Sequence, residues 1–308
     1  MSFNHKNYFA KIFFLFIILS NVEASHKINF FKINNNKITI QFPAAKTSTQ
    51  FIGSTDHVLS IVINGTPQTT LSEKYKNTVS DSTAVVEFET PMTDCSCLFQ
   101  SCSKITYIDL SEFDTSQCTT FQNLFYECKA LTSVKLSSSF TSSNVKDMSG
   151  MFYYCKELDF DMLILDTTKV TDMSAMFQNS GFKFLDLSKF DTRQVTSMEN
   201  MFNTMASLIS VDMTSFDTSK VRSMGSMFYN CGKLVSLQLN NFDLSNVGSN
   251  TANMLTGLSN TQVNFCTHDE DKLKDLLTSS KISITCDSPC FFIITIVSFR
   301  NFIYALSL

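Results

Sequence analysis

The sequence predicts an α/β fold, a solenoid of about six to seven coils with 25–27 residues in each coil. A phenylalanine, replaced once by leucine, follows Met or Leu at this regular interval, at Phe99, Phe125, Phe152, Phe177, Phe202, Phe228 and Leu255. We number the coils one to seven by these positions. A fixed period of this length indicates repeats that cannot bury a core singly, so the coils are expected to stack.

Each coil has two halves with different apolar patterns. In the first half, Met173, Met176 and Phe177 have the spacing i, i+3, i+4, and Thr171 precedes them as a helix cap, which predicts a short helix. In the second half, the alternation of Leu185–Ser188 predicts a short strand. The Asp of the following Phe-Asp-Thr-Ser segment is expected to form a turn through its side chain; the five residues are Asp114, Asp166, Asp191, Asp217 and Asp243.

The whole unit, Val-Thr-Asp-Met-Ser-x-Met-Phe followed by Leu-Asp-Leu-Ser-x-Phe-Asp-Thr-Ser, resembles a known surface-protein repeat. It is similar to the 26-residue repeat of Mycoplasma-type lipoproteins and BspA-like proteins. The resemblance covers residues 92–265, and Leu165-Asp166 in coil three departs from Phe-Asp. It implies a leucine-rich-repeat-like solenoid on a secreted or cell-surface protein that adheres to other molecules, without catalytic residues.

The segments outside the repeats predict export and capping. Residues 1–24 contain two lysines, then an apolar run and then small residues, which is the pattern of a secretory signal peptide. Residues 25–91 alternate as β-strands and are expected to cap the first coil, while residues 266–289, with helical spacing over 269–278 and a strand over 281–285, predict a C-terminal cap. The apolar tail, residues 290–308, leaves membrane attachment, secretion and a truncated gene product open.

Nine of the ten cysteines fall into three groups, and Cys290 has no obvious partner in the sequence. Four of them (Cys102, Cys128, Cys155 and Cys231) occupy one slot that also accepts Ser180 and Met205, so we expect buried thiols rather than metal ligands. Near the first coil, Cys95, Cys97 and Cys118 lie together, and a Cys95–Cys118 disulfide is favoured among them. Cys266 and Cys286 flank the predicted C-terminal helix and form the second candidate pair.

The outward residue between the two apolar strand positions defines what we term the strand face. Coil by coil its members are Asp109, Lys135, Asp161, Asp186, Asp212 and Gln238. Neighbouring strands stand about 4.8 Å apart, so Asp161, Asp186 and Asp212 are expected to form a column of like charges. Two interpretations stay open: a site for a basic partner or Ca²⁺, and a solvated face that the repeat sequence generates by itself.

Composition excludes several classes of function. With 24 basic and 28 acidic side chains, the net charge of −4 gives no basic surface for nucleic acid. After removal of the leader only His26, His57 and His268 remain, all outside the coils, and no phosphate loop, nucleophile elbow or metalloprotease motif occurs. We therefore expect no enzymatic activity, no cofactor and no metal. Asn64-Gly65-Thr66 is a glycosylation sequon, weakened by Pro67.

Two functions remain. The first is a secreted or cell-surface binding or adhesion protein that recognises an extracellular protein or glycan through the strand face. The second is a structural coat or spacer protein without a specific ligand. Six strand steps span only about 29 Å, which is short for a stalk and favours binding.

Overall fold

The computed structural model describes residues 36–42, 48–50, 52–53, 58–68, 74–76, 82–88, 92–137, 140–239, 242–247, 250–259, 261–265, 283–288 and 291–295. These residues contain strands and a single three-residue 3₁₀ helix, Met162–Ile164. The strands are β1 (Asn36–Phe42), β2 (Ser48–Gln50), β3 (Val58–Ile63), β4 (Thr66–Pro67), β5 (Lys74–Lys76), β6 (Ser82–Phe88), β7 (Tyr107–Glu112), β8 (Ser133–Leu136), β9 (Phe184–Asp186), β10 (Ser210–Asp212), β11 (Ser236–Leu239), β12 (Gln262–Phe265), β13 (Ser283–Ser288) and β14 (Phe291–Thr295).

The predicted α/β class is wrong, because the first half of each coil is a series of turns and not a helix. Its backbone N–H groups alternate between two kinds of acceptor: a carbonyl three residues back, and a carbonyl of the next coil. In coil five these bonds run from Met201 to Met198, from Phe202 to Met227, from Asn203 to Asn200 and from Thr204 to Tyr229. An α-helix would instead join each N–H to the carbonyl four residues back.

Left-handed residues prevent the helix. Each coil has two residues with positive φ, four positions apart; the pairs are Cys97 and Ser101, Asn123 and Glu127, Gly150 and Tyr154, Ala175 and Asn179, Asn200 and Thr204, Ser226 and Asn230, and Asn253 and Gly257. A right-handed helix cannot contain this conformation. In these turns, residues three and four positions apart nevertheless lie on the same side of the chain. The apolar residues therefore have the same sequence spacing as those of a helix.

The repeated phenylalanines form the centre of the core. All six are buried, and each ring stacks on the equivalent ring of the next coil. The centroid distances along the stack are 5.5, 5.9, 5.6, 5.7 and 5.1 Å. Aromatic pairs at this distance contribute about 0.5–1.5 kcal/mol beyond their burial. The stack therefore fixes the register of one coil on the next.

A column of buried hydroxyls joins the coils on another side. Each hydroxyl donates a hydrogen bond to the backbone carbonyl of a partner residue in the next coil, and it accepts a hydrogen bond from the N–H of that partner residue. The distances from the hydroxyl oxygen to the carbonyl oxygen are 2.7–3.0 Å. The pairs are Thr115 with Thr141, Ser142 with Asp166, Thr167 with Asp191, Thr192 with Asp217, and Thr218 with Asp243. This role of the Thr in Phe-Asp-Thr-Ser is not apparent from the sequence.

The neighbouring aspartates are turn formers, as predicted. Each carboxylate accepts a hydrogen bond from the backbone N–H two residues later. The five pairs are Asp114 with Ser116, Asp166 with Thr168, Asp191 with Arg193, Asp217 with Ser219, and Asp243 with Ser245. These side chains are therefore committed to local structure.

The two ends of the coil stack are covered by antiparallel strands. At the first coil, β1 pairs antiparallel with β7, and the sheet order is β4-β3-β6-β1-β7-β8, so one sheet crosses the predicted boundary at residue 91. At the last coil, β11 pairs parallel with β12, and β14 then pairs antiparallel with β12 and β13. The start of the apolar tail is thus part of a sheet. The helix predicted over 269–278 lies outside the described residues.

The cysteine slot is an inward core position, as predicted. The four cysteine side chains in it are buried. Three of them donate to the phenylalanine carbonyl of the preceding coil at 3.0–3.1 Å. Ser180 in coil four is also buried, but its hydroxyl has no hydrogen-bond partner among the described residues.

Replacing Thr192 by valine should lower the free energy of unfolding by about 3 kcal/mol, because it removes both bonds of a buried hydroxyl and leaves the N–H and carbonyl of half-buried Asp217 without these partners. Urea denaturation measures this loss. The control is Thr196→Val, whose hydroxyl donates to Thr171 at the surface and which should cost less than about 1 kcal/mol. Equal effects of the two substitutions would contradict a structural role for the hydroxyl column.

Replacing Ser180 by cysteine should raise the free energy of unfolding by about 1 kcal/mol, since the longer thiol restores the group that the other coils place in this slot. The same denaturation assay tests it. Ser180→Ala separates the two contributions, because it only removes the unpaired hydroxyl. A cysteine variant less stable than the alanine variant would show that the slot in coil four is too small for sulfur.

Candidate functional site

The first two members of the strand face form an ion pair. Asp109 of β7 and Lys135 of β8 lie opposite each other in the parallel ladder, and their charged groups are 2.9 Å apart. Burial opposes ionisation of Asp109, but hydrogen bonds from Ser111 and then from Lys135 lower the pKa of this carboxyl overall. The same hydrogen bond raises the pKa of Lys135. This end of the strand face is thus internally neutralised.

Asp161, which the sequence predicts in one column with Asp186 and Asp212, lies outside the strand ladders of the described residues. In coil three the 3₁₀ helix replaces the strand, and Asp161 is its N-cap residue, with a carboxylate oxygen 3.0 Å from the N–H of Leu163. The departure of coil three from the repeat sequence at Leu165 accompanies this change. The carboxylate of Asp161 is therefore used in capping.

Asp186 and Asp212 form the remaining acidic pair. They lie directly opposite each other in the parallel ladder of β9 and β10, and both are exposed. Each carboxylate accepts two hydrogen bonds from the residue two positions later, Ser188 at 3.0 and 2.6 Å and Thr214 at 3.0 and 2.7 Å. The bonds from Ser188 lower the pKa of Asp186. Each carboxylate is therefore hydrogen-bonded within its own coil.

Gln238, the last member of the strand face, is exposed in β11. The ladder partner of Gln238 is Asn264 of β12, whereas the β9–β10 ladder ends at β10. The structure therefore separates the strand face into three groups: the Asp109–Lys135 pair, the capping Asp161, and the exposed carboxylates of coils four and five beside coil six.

An exposed aromatic side chain, which the sequence reasoning missed, lies on the same strand as Asp186. It is Phe184 of β9, two residues before Asp186, and its ladder partner in β10 is Ser210. Phe184 is 66% exposed and Val235 of coil six is 61% exposed, and they are two of the four large apolar side chains that are exposed in the described part of the chain. Val235 belongs to the neighbouring row, because its N–H donates to Ile209, whose own N–H donates to Lys183 and not to Phe184. Strand alternation already predicts Phe184 to point outward, since Leu185 and Leu187 point inward.

The structure also describes residues of the predicted disulfide and glycosylation sites. A disulfide bond joins Cys95 and Cys118, the pair that the sequence favours, across the first two coils. Cys286 belongs to β13, whereas Cys266 lies outside the described residues, as does their predicted pairing. Asn64 lies in the exposed turn between β3 and β4, and its side-chain oxygen accepts a hydrogen bond from the N–H of Thr83 at 3.0 Å.

The buried thiols are chemically passive. Burial raises the pKa of Cys231 to about 12 and raises those of Cys128 and Cys155 well above the ordinary thiol range. In the described part of the chain, His, Cys, Asp and Glu form no group of three that fits a metal ion. The three histidines after the predicted leader lie outside that part.

Comparison with known proteins identifies the family to which the coils belong. A family described as "Mycoplasma protein of unknown function, DUF285" matches residues 93–184 and 164–268. The chain belongs to this family. The resemblance to the Mycoplasma-type repeat is thereby confirmed. No curated protein and no solved structure matches the chain. A search of the described residues found no helix long and apolar enough to cross a membrane.

Stability should fall on acidification through the hydrogen-bonded aspartates. Interactions of the folded state lower the pKa of Asp109, Asp186, Asp191 and Asp217. A carboxyl with a lowered folded-state pKa contributes stability above its unfolded pKa, near 4, and this contribution is lost as the pH falls through the folded value. We therefore expect the melting temperature to be level from pH 7 to about pH 5 and to fall towards pH 3.

Thermal unfolding followed by circular dichroism in buffers from pH 7 to pH 3 measures this. Asp217→Asn is the matched variant, since Asn keeps an acceptor for the N–H of Ser219 without the titrating charge. Its fall in melting temperature should be shallower than that of the unmodified protein. A melting temperature that rises on acidification would mean that repulsion among carboxylates dominates.

Proposed function

We propose that the protein is a secreted or cell-surface binding protein that recognises an extracellular protein or glycan through the strand face of coils four to six. The observation that carries the proposal is the exposed aromatic side chain of Phe184 on the same strand face as two exposed carboxylates, Asp186 and Asp212. Neither carboxylate forms an ion pair among the described residues, so both are available to a ligand. Interfaces combine apolar anchors with polar groups in this way.

The chemistry of this surface favours a protein partner with basic and apolar side chains. Phe184 offers a large flat anchor, and aromatic side chains are enriched where partners bind. The paired anions attract cationic groups and raise the rate of encounter. A glycan fits less well, because two fixed carboxylates repel the acidic sugars that cell surfaces carry.

Placement outside the cell rests on the sequence. The predicted leader and the resemblance to BspA-like surface proteins both support export, and the Cys95–Cys118 disulfide suits an oxidising compartment. The resemblance is used here for surface placement only. A coat or spacer protein is the competing function.

The test is binding of the labelled, oxidised full chain to intact cells and matrix preparations. We expect saturable binding that Phe184→Ser weakens by about tenfold or more, with a further loss on Asp186→Asn combined with Asp212→Asn. Leu59→Ser is the matched control, because Leu59 is 58% exposed and lies on β3, away from the coils. Its binding should equal that of the unmodified protein.

Two results would contradict the proposal. Binding that persists in the Phe184 and aspartate variants would place recognition on another surface. Absence of saturable binding in every preparation would favour the coat or spacer function. Circular dichroism of each variant excludes unfolding as the cause of a loss, since all the substituted side chains are exposed.

A further inference from the structure

A second group of side chains gathers on the turns of coils two and three, away from the strands. We term it the turn cluster and define it as Tyr126, Lys129, Tyr153, Tyr154 and Lys156. Tyr126 and Tyr153 stack almost parallel, with ring centroids 4.3 Å apart and an angle of 4° between the planes. Tyr153 and Tyr154 lie 6.1 Å apart. The ammonium groups of Lys129 and Lys156 lie 4.7 and 4.4 Å from the centroid of Tyr154.

Tyr154 occupies a position that disfavours a large side chain. Its φ is +58°, and the equivalent residues of the other coils are Ser101, Glu127, Asn179, Thr204, Asn230 and Gly257. Asn and Gly adopt this left-handed conformation most readily, whereas a bulky side chain is strained there. Strain of this kind is retained mainly where a residue has a function.

One ammonium group of the cluster, that of Lys156, lies at a half-buried position. Lys129 is 3.4 Å from the carboxylate of Glu127. Lys156, by contrast, donates to the neutral side-chain oxygen of Asn179 at 2.7 Å and forms no ion pair among the described residues. Burial lowers the pKa of Lys156, because its ammonium has lost part of its hydration. A bound anion would compensate for this lost hydration. Glu157, the next residue, is exposed and forms no ion pair in that part of the chain either.

The surroundings supply hydrogen-bonding groups and flat apolar surface. Burial and the neighbouring Tyr153 raise the pKa of Tyr126, which keeps its hydroxyl protonated. Gln178, which follows Phe177 in the next coil as Tyr153 follows Phe152, is half-buried and forms no side-chain hydrogen bond among the described residues. Rings, hydroxyls and an amide in one place suit the hydroxyl and C–H groups of a sugar, and the ammonium of Lys156 suits an acidic substituent.

We propose that the turn cluster is a binding site for an acidic carbohydrate, with its carboxylate or sulfate on Lys156 and its sugar ring against the tyrosines. The site is separate from the strand face, whose own carboxylates repel such a ligand. The two surfaces therefore have opposite charge preferences and do not compete for one partner. The inference stands whether or not the strand face binds a protein.

The test measures binding of the full chain to three oligosaccharides by biolayer interferometry: a sialylated trisaccharide, a sulfated glycosaminoglycan fragment and uncharged lactose. We expect saturable binding of one or both acidic sugars and none of lactose. Lys156→Met keeps the length of the side chain and should weaken binding about tenfold or more. Lys233→Met, an exposed lysine in the equivalent turn of coil six, should leave it unchanged.

Tyr154→Asn separates binding from folding. Asn suits the left-handed position, as in coils four and six, so the variant should melt at the same temperature as the unmodified protein or higher. It should nevertheless lose the acidic sugar. Binding to cells through the strand face should persist in this variant, which distinguishes failure of one proposal from failure of the other.

Three results would overturn the turn-cluster site. The first is no binding of either acidic sugar. The second is binding that Lys156→Met and Tyr154→Asn leave intact. The third is equal binding of lactose, or of a poly-glutamate peptide, which would show that the cluster does not select an acidic sugar.

Discussion

The bond on which the rest of this structure depends is the backbone hydrogen bond from one coil to the next. In the turn half of each coil, every second N–H donates to a carbonyl about 25 residues later in the chain. A coil without a neighbour would leave these groups unpaired and expose its phenylalanine. The hydroxyl column repeats the arrangement elsewhere in the coil, because each buried Thr or Ser also has both of its partners in the next coil. Stability is therefore a property of neighbouring coils and not of any single one.

This stacking places equivalent side chains side by side, with consequences that depend on what they are. Identical phenylalanines gain from it, since their rings stack. Identical aspartates would lose, but each accepts hydrogen bonds from its own coil, so that the carboxylates of Asp186 and Asp212 need no cation between them. Because the acidic side chains are hydrogen-bonded within their own coils, the residues of the outer surface can differ from coil to coil.

Variation among the coils is where both proposed binding surfaces arise. Phe184 stands in a row where the equivalent positions are Tyr107, Ser133, Ser210 and Ser236, and Tyr154 stands where the other coils have small, polar or flexible residues. Both residues take part in the contacts between coils through their backbone only, Phe184 in the β9–β10 ladder and Tyr154 through its N–H bond to Gln178, so their side chains can vary. Each departs from the repeat at an accessible position, and departures of this kind distinguish a binding residue from a framework residue in a repeat protein.

The sequence by itself determined the period, the stacking of coils, the inward phenylalanines and cysteines and the turn-forming aspartates, because these follow from local pattern and burial. It did not determine the backbone of the first half of each coil. Met173, Met176 and Phe177 have helical spacing, yet Ala175 and Asn179 are left-handed because their N–H groups bond to the next coil. The tertiary structure alone also decided that β1 pairs with β7 and that Lys129 of the preceding coil lies on Tyr154. Both contacts rest on a partner distant in sequence, which no local pattern specifies.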